Sequence, residues 1–340
     1  MKKIDVQRAK ETFARSIFLK QGKRGDRRHR WLGAACILLL LATSAIAASA
    51  ATKFKSLMNF DGTDGLRPTY MSVVQGLDGN MYGTTAYGGV NNEGTVFKIT
   101  PSGTLTTLHS FSGTDGSSSN GELVQATDGN FYGTTSAGGT NLEGTVFKMT
   151  PGGTVTTLYN FCSQSGCADG YQPYAGLIQA TDGNLYGTTI YGTGRAGTIF
   201  KITTSGTLTT LQTFATTDGT NPYAGLVQDT NGDLYGTTIT NGDPSCAGGA
   251  GCGTIFSLSV GSGPFVETRP ASGRVGAAVK ILGTGLTGST SVAFNGTAAT
   301  FTVVSSSEIT TTVPTGATTG KVKVTTPRRT LTSNVNFRIP

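Results

Sequence analysis

The sequence predicts an all-β protein, with a four-fold repeat array followed by a β-sandwich. A nine-residue motif occurs four times, as LDGNMYGTT at 77–85, TDGNFYGTT at 127–135, TDGNLYGTT at 181–189 and TNGDLYGTT at 230–238. The chain has 50 glycines and only 13% charged residues, which fits many tight turns and short strands. No stretch after residue 50 shows a helical apolar period, so we expect strands throughout.

The first 50 residues have the composition of a targeting segment. Residues 1–30 carry eleven Lys/Arg, residues 31–48 are almost entirely apolar, and Ala45-Ile46-Ala47 and Ala48-Ser49-Ala50 are small-residue cleavage sites. This order is typical of a signal peptide. We expect cleavage and export to the cell surface or beyond, with the periplasm as an alternative location. The other reading is an uncleaved membrane segment, because about 18 apolar residues approach the lower limit for a bilayer span.

The net charge changes when this segment is set aside. The whole chain carries +7, and residues 1–50 contribute 11 − 3 = +8, which leaves 15 basic and 16 acidic residues. A protein with this balance lacks the basic surface that nucleic-acid binding requires, so we expect no nucleic-acid partner. We expect contact with a membrane only through the N-terminal segment, if it is uncleaved.

Four cysteines follow the targeting segment. Cys162 and Cys167 share one Gly/Ser-rich loop, and Cys246 and Cys252 share another. Three pairings are possible, and closeness in sequence favours Cys162–Cys167 and Cys246–Cys252. Two disulfides agree with an oxidising, exported environment.

Each repeat divides into four strands. In the second repeat we expect strand A at 122–126, strand B at 131–136, strand C at 144–150 and strand D at 154–161. Asp128-Gly129 between strands A and B is a strong hairpin signal and predicts a type I′ turn. Four antiparallel strands at a period of about 50 residues predict the blades of a β-propeller.

The two ends of the array predict that the ring closes. Strand D reads TLTTLHSF at 104–111, TVTTLYNF at 154–161 and TLTTLQTF at 207–214, but the fourth repeat lacks it. A similar segment, KFKSLMNF at 53–60, precedes the first repeat. We therefore expect a propeller over 53–260 of four blades, closed by the N-terminal strand, which would leave no exposed edge. An open array and a dimer of two half-rings are the alternatives.

These repeats resemble the GloVer-type tandem repeats of exported bacterial proteins, whose consensus reads DGNLYGTT, GTVFKIT and TLTTLxxF. The fourth repeat departs from that pattern, with Asn231-Gly232-Asp233 in the turn and Ser257 in place of a lysine. The resemblance implies a surface or secreted protein and supplies no catalytic residues.

A different pattern begins after a linker at 261–264. Short alternating segments at 279–286, 291–296, 308–314 and 318–327, separated by Gly, Ser, Thr and Pro, predict a sandwich of six or seven strands. The segment 265–340 resembles an IPT/TIG domain, an immunoglobulin-like sandwich that usually serves as a spacer or adhesive module.

Candidate catalytic residues are scarce. His109 is the only histidine after the targeting segment, and it falls in a D strand without an obvious partner for a general base. Asp-Gly pairs such as Asp61-Gly62, Asp64-Gly65, Asp115-Gly116 and Asp218-Gly219 offer oxygen ligands for calcium, but a plain turn needs the same residues. We expect no cofactor and no enzymatic activity. The alternative is a secreted carbohydrate-active lyase or hydrolase with the sandwich as an accessory module.

Aromatic residues fall into two groups. Those repeated within strands are expected to form core between blades: Tyr82, Tyr132, Tyr186, Tyr235, Phe97, Phe147, Phe200 and Phe256. The others lie in the longer loops, which should emerge on one face, and amphipathic tyrosines recur at recognition surfaces. We predict a site for a glycan or a cell-surface protein from Tyr70, Tyr87, Tyr171, Tyr174, Tyr191, Tyr223, Arg67 and Arg195. The competing interpretation is that these tyrosines only pack the loops against the blades.

The intact mass of the exported protein tests the N-terminal prediction. We expect the chain to begin after Ala47 or Ala50, because small residues precede the cleaved bond. A mass that includes residues 1–50 would instead indicate a retained membrane segment.

Overall fold

The computed structural model describes residues 54–68 and 72–340. The predicted signal peptide at 1–50 and Tyr70 of the predicted site lie outside the described residues. Within the described part the chain is all-β, with six antiparallel sheets and four single-turn 3-10 helices at Ser165–Cys167, Thr193–Arg195, Thr216–Asp218 and Ala247–Gly249. None of these helices is long and apolar enough to cross a membrane.

Each of the four repeats forms its own sheet, here called repeat sheets one to four. Repeat sheet one contains β1 Val74–Gln75, β2 Met81–Thr85, β3 Thr95–Ile99 and β4 Leu105–Ser110. Repeat sheet two contains β5 Val124–Gln125, β6 Phe131–Thr135, β7 Thr145–Met149 and β8 Val155–Asn160. Repeat sheet three contains β9 Ile178–Gln179, β10 Leu185–Thr189, β11 Thr198–Ile202 and β12 Leu208–Thr213. Repeat sheet four contains β13 Val227–Gln228, β14 Leu234–Thr237 and β15 Ile255–Leu258. Neighbours in sequence are neighbours in each sheet, as predicted.

The turn between strands A and B differs from the predicted type I′ geometry. In repeat sheet two, the Gly129 N–H donates to the Ala126 carbonyl and the Ala126 N–H donates to the Asn130 carbonyl. A type I′ turn needs positive φ at both central residues, whereas here Gly129 has φ 83° and Asp128 keeps a negative φ. The loop is therefore a three-residue hairpin connection that ends in a left-handed glycine.

Consecutive repeat sheets pack face to face through the aromatic residues of the repeat. Tyr82 of sheet one stacks on Phe131 of sheet two with 4.1 Å between ring centroids. The last residue of one repeat, such as Phe111, then packs on the strand C phenylalanine of the next, such as Phe147, at 5.3 Å. The same edge contact joins Phe161 to Phe200 and Phe214 to Phe256. The apolar core of the array therefore lies between sheets.

The glycine of the YGTT segment is explained by this packing. A Cβ on Gly133 would lie 2.6 Å from the Phe147 ring and 2.8 Å from the Leu123 side chain. Gly187 and Gly236 meet the equivalent phenylalanine and leucine at similar distances. Only glycine leaves room for the ring and the leucine to close over the sheet.

The two threonines of the motif make hydrogen bonds in different directions. The Thr134 hydroxyl donates to the Ala175 carbonyl of the next repeat at 2.9 Å. The Thr135 hydroxyl lies 2.8 Å from the Thr145 hydroxyl of strand C, where both are buried. One threonine thus connects repeats, and the other ties strand B to strand C.

Repeat sheet four departs from two expectations. It has three strands, and the described residues 54–60 form no strand, so the predicted closing strand is not confirmed. Tyr235 is exposed and Phe256 is only partly buried, whereas their counterparts in the first three sheets are buried. Tyr235 is exposed because no described repeat sheet lies beyond the fourth, whereas Tyr82, Tyr132 and Tyr186 are covered by the sheet that follows them. Phe256 faces the third sheet, where Phe214 lies 5.1 Å away.

The C-terminal segment forms a two-sheet sandwich of eight strands, one or two more than predicted. The first sheet has the order β16 Glu267–Arg269, β17 Ala278–Leu282, β21 Glu308–Thr312 and β20 Phe301–Val303. The second has the order β19 Thr297–Ala299, β18 Ser291–Phe294, β22 Gly320–Thr325 and β23 Thr330–Phe337. The sandwich adjoins repeat sheet four, where the Phe265 N–H donates to the Thr230 carbonyl at 3.0 Å.

Replacing Gly133 by Ala tests the packing over the motif. Overpacking of a core typically destabilises by about 1–3 kcal/mol, and we expect a loss of that order in the free energy of unfolding. The matched control is Gly152→Ala in the same repeat, where the nearest atom to a new Cβ is 3.8 Å away and φ is not positive. Equal unfolding midpoints for the two variants in a denaturant titration would contradict this account.

Candidate binding site

The structure brings four of the predicted tyrosines together as two pairs. Tyr171 and Tyr191 lie with ring centroids 5.2 Å apart, and their backbones form an isolated antiparallel bridge. Tyr174 and Tyr223 lie 5.4 Å apart. All four come from the D–A and B–C loops of the third and fourth repeats, and each side chain is partly or fully exposed.

The predicted arginines lie in different surroundings. The Arg67 guanidinium lies over the Tyr87 ring at 5.5 Å in the first repeat. Arg195 ends the short helix Thr193–Arg195 and is exposed. Among the eight predicted residues, the described contacts are therefore the Arg67–Tyr87 pair and the two tyrosine pairs. Arg195 lies in the same loop as Tyr191, and Tyr70 is outside the described residues.

An open groove of about 2020 Å³ runs along the first strands of the repeat sheets, here called the inner strands. Its walls come from β1, β5 and β9, and residues 223–226 extend them to the fourth repeat. Sandwich residues, among them Lys321 and Arg338, form another part of the lining. Tyr174 and Tyr223 also line the groove, whereas Tyr87, Tyr171 and Tyr191 do not. Small-molecule pockets are usually about 300–1,000 Å³, so this groove has room for a larger or extended ligand.

A glutamine in every inner strand is a feature that the sequence reasoning missed. Gln125 accepts the Leu77 N–H of the preceding repeat at 2.9 Å and donates to its own turn at the Gly129 carbonyl. Gln179 and Gln228 make the equivalent contacts with Thr127 and Thr181. The available signal was the recurrence of glutamine two residues before the nine-residue motif in all four repeats. These amides connect neighbouring repeats along the groove.

The carboxylates on the groove wall lie at opposite ends of the inner strands. Glu122 precedes β5 and accepts a hydrogen bond from the Ser72 hydroxyl. Asp182 follows β9 and accepts hydrogen bonds from the Asn184 amide at 2.7 Å and the Tyr186 hydroxyl at 2.8 Å. Both carboxylates therefore accept hydrogen bonds from neighbouring side chains.

The motif aspartates have a second role besides the turn. The hydroxyls of Tyr82, Tyr132 and Tyr186 donate to the aspartate four residues earlier at 2.9, 2.7 and 2.8 Å. Burial works against the charged form of Asp128, but hydrogen bonds from Asn130 and Tyr132 outweigh it and lower its pKa. Burial, together with the hydrogen bond to Asp78, raises the pKa of Tyr82 to about 12. For the same reasons the pKa of Tyr132 lies well above its ordinary value.

His109 does have a partner, contrary to the prediction. Its Nε2 lies 2.7 Å from the Asp115 carboxylate, which also accepts hydrogen bonds from Ser112. In the next repeat the Tyr159 hydroxyl donates to Asp169 from the corresponding position of strand D. The recurrence of this contact with a different donor identifies it as an anchor for the D–A loop.

In the loops proposed for calcium, the carboxylates accept hydrogen bonds from residues of their own loop. Asp61 accepts hydrogen bonds from the Thr63 hydroxyl and backbone, and Asp218 accepts one from the Ala215 N–H. No group of three or more His, Cys, Asp or Glu side chains suited to a metal occurs in the described part of the chain. The two predicted disulfides, Cys162–Cys167 and Cys246–Cys252, are present in their loops.

Family models match most of the chain. The model described as the Gloeobacter/Verrucomicrobia repeat matches residues 45–168 and 164–285. The chain belongs to this repeat family. The IPT/TIG domain model matches residues 266–339, so this Gloeobacter/Verrucomicrobia repeat protein carries an IPT/TIG domain at its C-terminal end. No curated protein matches the sequence.

Several solved structures resemble the repeat protein at low identity. A luciferin-regenerating enzyme is 16% identical with a TM-score of 0.38, covering 57% of this chain and 62% of its own. A gluconolactonase from Xanthomonas campestris is 14% identical with a TM-score of 0.37 and covers 71% of each chain. Virginiamycin B lyase from Staphylococcus aureus is 12% identical with a TM-score of 0.31, covering 81% of this chain and 96% of its own.

The buried tyrosines predict a loss of stability in alkali. A tyrosine whose pKa is raised in the folded state stabilises the fold below its ordinary pKa, and this contribution disappears as pH rises through the folded value. For Tyr82 that range runs from 10.0 to about 12. Replacing Tyr132 by Phe removes one such group, so we expect its unfolding free energy to fall less steeply above about pH 10 than that of the wild type.

The control for this measurement is Phe200→Leu. It disturbs the same interface between sheets two and three without removing an ionisable group, so it should keep the wild-type pH dependence. Denaturant titrations at neutral and alkaline pH make the comparison. A Tyr132→Phe variant with the same alkaline slope as the wild type would contradict the role assigned to these hydroxyls.

Proposed function

We propose that this is an exported, non-enzymatic binding protein, and that its ligand is a glycan bound at the Tyr171–Tyr191 and Tyr174–Tyr223 pairs. The observation that carries the proposal is the pairing itself, because two pairs of accessible aromatic rings at loop ends have the character of a recognition surface. The Tyr174–Tyr223 pair also lines the groove, whose volume of about 2020 Å³ has room for an extended ligand.

Two further observations support binding rather than catalysis. The groove carboxylates stand at opposite ends of the inner strands, and Asp182 is already engaged by Asn184 and Tyr186. The His109–Asp115 pair has a structural counterpart in Tyr159–Asp169. Both features have a role in the fold, so neither calls for a catalytic explanation.

Export is supported by the cysteines and the N-terminal sequence. Disulfides persist in oxidising compartments, and both closed loops are surface loops of the array. The basic and apolar segments at 1–48 have the order of a signal peptide. We place the protein at the cell surface or in the extracellular medium.

We also propose that the repeat sheets are four propeller blades, and that a 53–60 segment, from the same chain or from another copy, supplies the outer strand that the fourth blade lacks. The segment matches the strand D pattern of the other repeats. Closed propellers protect their sheet edges, and β15 otherwise presents an unpaired edge.

A glycan array with the exported protein tests the binding proposal. We expect the triple variant Tyr174→Ala, Tyr191→Ala and Tyr223→Ala to lose at least about tenfold in affinity, because tenfold corresponds to only about 1.4 kcal/mol. The matched control replaces the same three residues by Phe, which keeps the aromatic faces and should retain most of the binding.

Mass analysis of the glycans after incubation covers the enzyme alternative. Cleaved products would overturn the non-enzymatic assignment. Wild-type-like binding by the alanine variant would place the site elsewhere, and binding to cell-surface proteins without glycan binding would identify the other class of ligand.

A further inference from the structure

The last repeat sheet exposes positions that are buried in every other sheet. Ile255 of β15 is 82% exposed, whereas its counterparts Val96, Val146 and Ile199 are 0%, 0% and 1% exposed. Tyr235 of β14 is 36% exposed, and the equivalent tyrosines are at most 1% exposed. This face has the residues of a sheet interface without the second sheet.

The first repeat sheet exposes the complementary positions. Val73 is 45% exposed, whereas Leu123, Leu177 and Leu226 at the same place in later repeats are 3%, 5% and 5% exposed. Those leucines lie in the cores that join each sheet to the preceding one. Val73 therefore occupies a position that is suited to contact a preceding sheet.

Hydrogen-bonding groups at the two ends also match. Gln125, Gln179 and Gln228 each accept an N–H from the preceding repeat, but the Gln75 side-chain oxygen has no donor among the described residues. Thr230 stands where Leu77, Thr127 and Thr181 stand in the donating repeats. Its N–H has no acceptor within the described part of the chain.

The segment before the first repeat is already placed as a strand D would be. Phe60 packs edge-on against Phe97 at 5.3 Å, as Phe111 does against Phe147. The Leu57 carbonyl approaches Gly103 in the way that the Leu108 carbonyl approaches Gly153. What this segment lacks is a repeat sheet beside it.

We propose that a second copy of this chain supplies the missing neighbour, with repeat sheet four of one copy packed on repeat sheet one of the other. This inference rests on the proposal that residues 53–60 complete the last blade, and it assigns that strand to the partner copy. The three interfaces within the chain use the same residues in the same contacts, so they set similar rotations between sheets. With those rotations, both ends of the array stay exposed to solvent.

A second copy completes the ring without changing any buried interface. Two chains with four sheets each give eight blades, within the range of about four to eight that is typical of propellers. A two-fold axis would make the two junctions identical, as in most homodimers. Closure by the same chain would instead require the three existing interfaces to open or rotate.

The molar mass of the exported protein, measured by light scattering after size-exclusion chromatography, tests this proposal. We expect a dimer for the wild type and a monomer for Ile255→Asp and for Val73→Asp. Mixing these two variants should restore a dimer, because one undamaged junction remains possible. The control Val90→Asp changes an exposed loop residue outside the repeat cores and should remain dimeric.

A cross-linking experiment separates the possible failures. Tyr235→Cys with Met81→Cys places thiols at the positions equivalent to Tyr82 and Phe131, whose rings stack at 4.1 Å. A short bis-maleimide should join two chains. A link within one chain would overturn the second-copy proposal and would support closure by the N-terminal strand of the same chain. The absence of any link, or a dimer that is insensitive to Ile255→Asp, would overturn both modes of closure.

Discussion

The burial of one motif tyrosine between consecutive repeat sheets is the contact on which the array depends. Tyr132 contributes its ring to the interface with the next sheet and its hydroxyl to Asp128 in its own turn. The neighbouring Gly133 leaves space for Phe147, and Thr134 bonds to the following repeat. The nine-residue motif recurs because each of its side chains serves either the turn or the sheet interface.

Much of this fold could be predicted from the sequence. The repeat period, the strand order within each sheet, the disulfide pairs and the buried Tyr82, Tyr132 and Tyr186 all follow from local patterns. The surroundings of Tyr235 did not, because burial of that residue depends on whether another sheet follows. The partner of His109 was also missed, since the Asp115 contact spans a loop whose path the pattern does not define.

The candidate site shows the same limit. Sequence reasoning selected loop tyrosines, and four of them form pairs through the approach of loops from neighbouring repeats. The pairing of these tyrosines and the inner-strand glutamines that connect repeats depend on how the sheets are rotated relative to one another. Rotation between sheets is a property of packing, and no single repeat encodes it alone.

The central claim is that each repeat sheet is stable only when a neighbour covers its face. Hydrogen exchange of the β14 and β15 amides, followed as protein concentration rises, tests it most directly. The account predicts that exchange slows with concentration until it approaches that of β10 and β11, whose sheet is covered on both faces. Exchange in β14 and β15 that is fast at every concentration would contradict it.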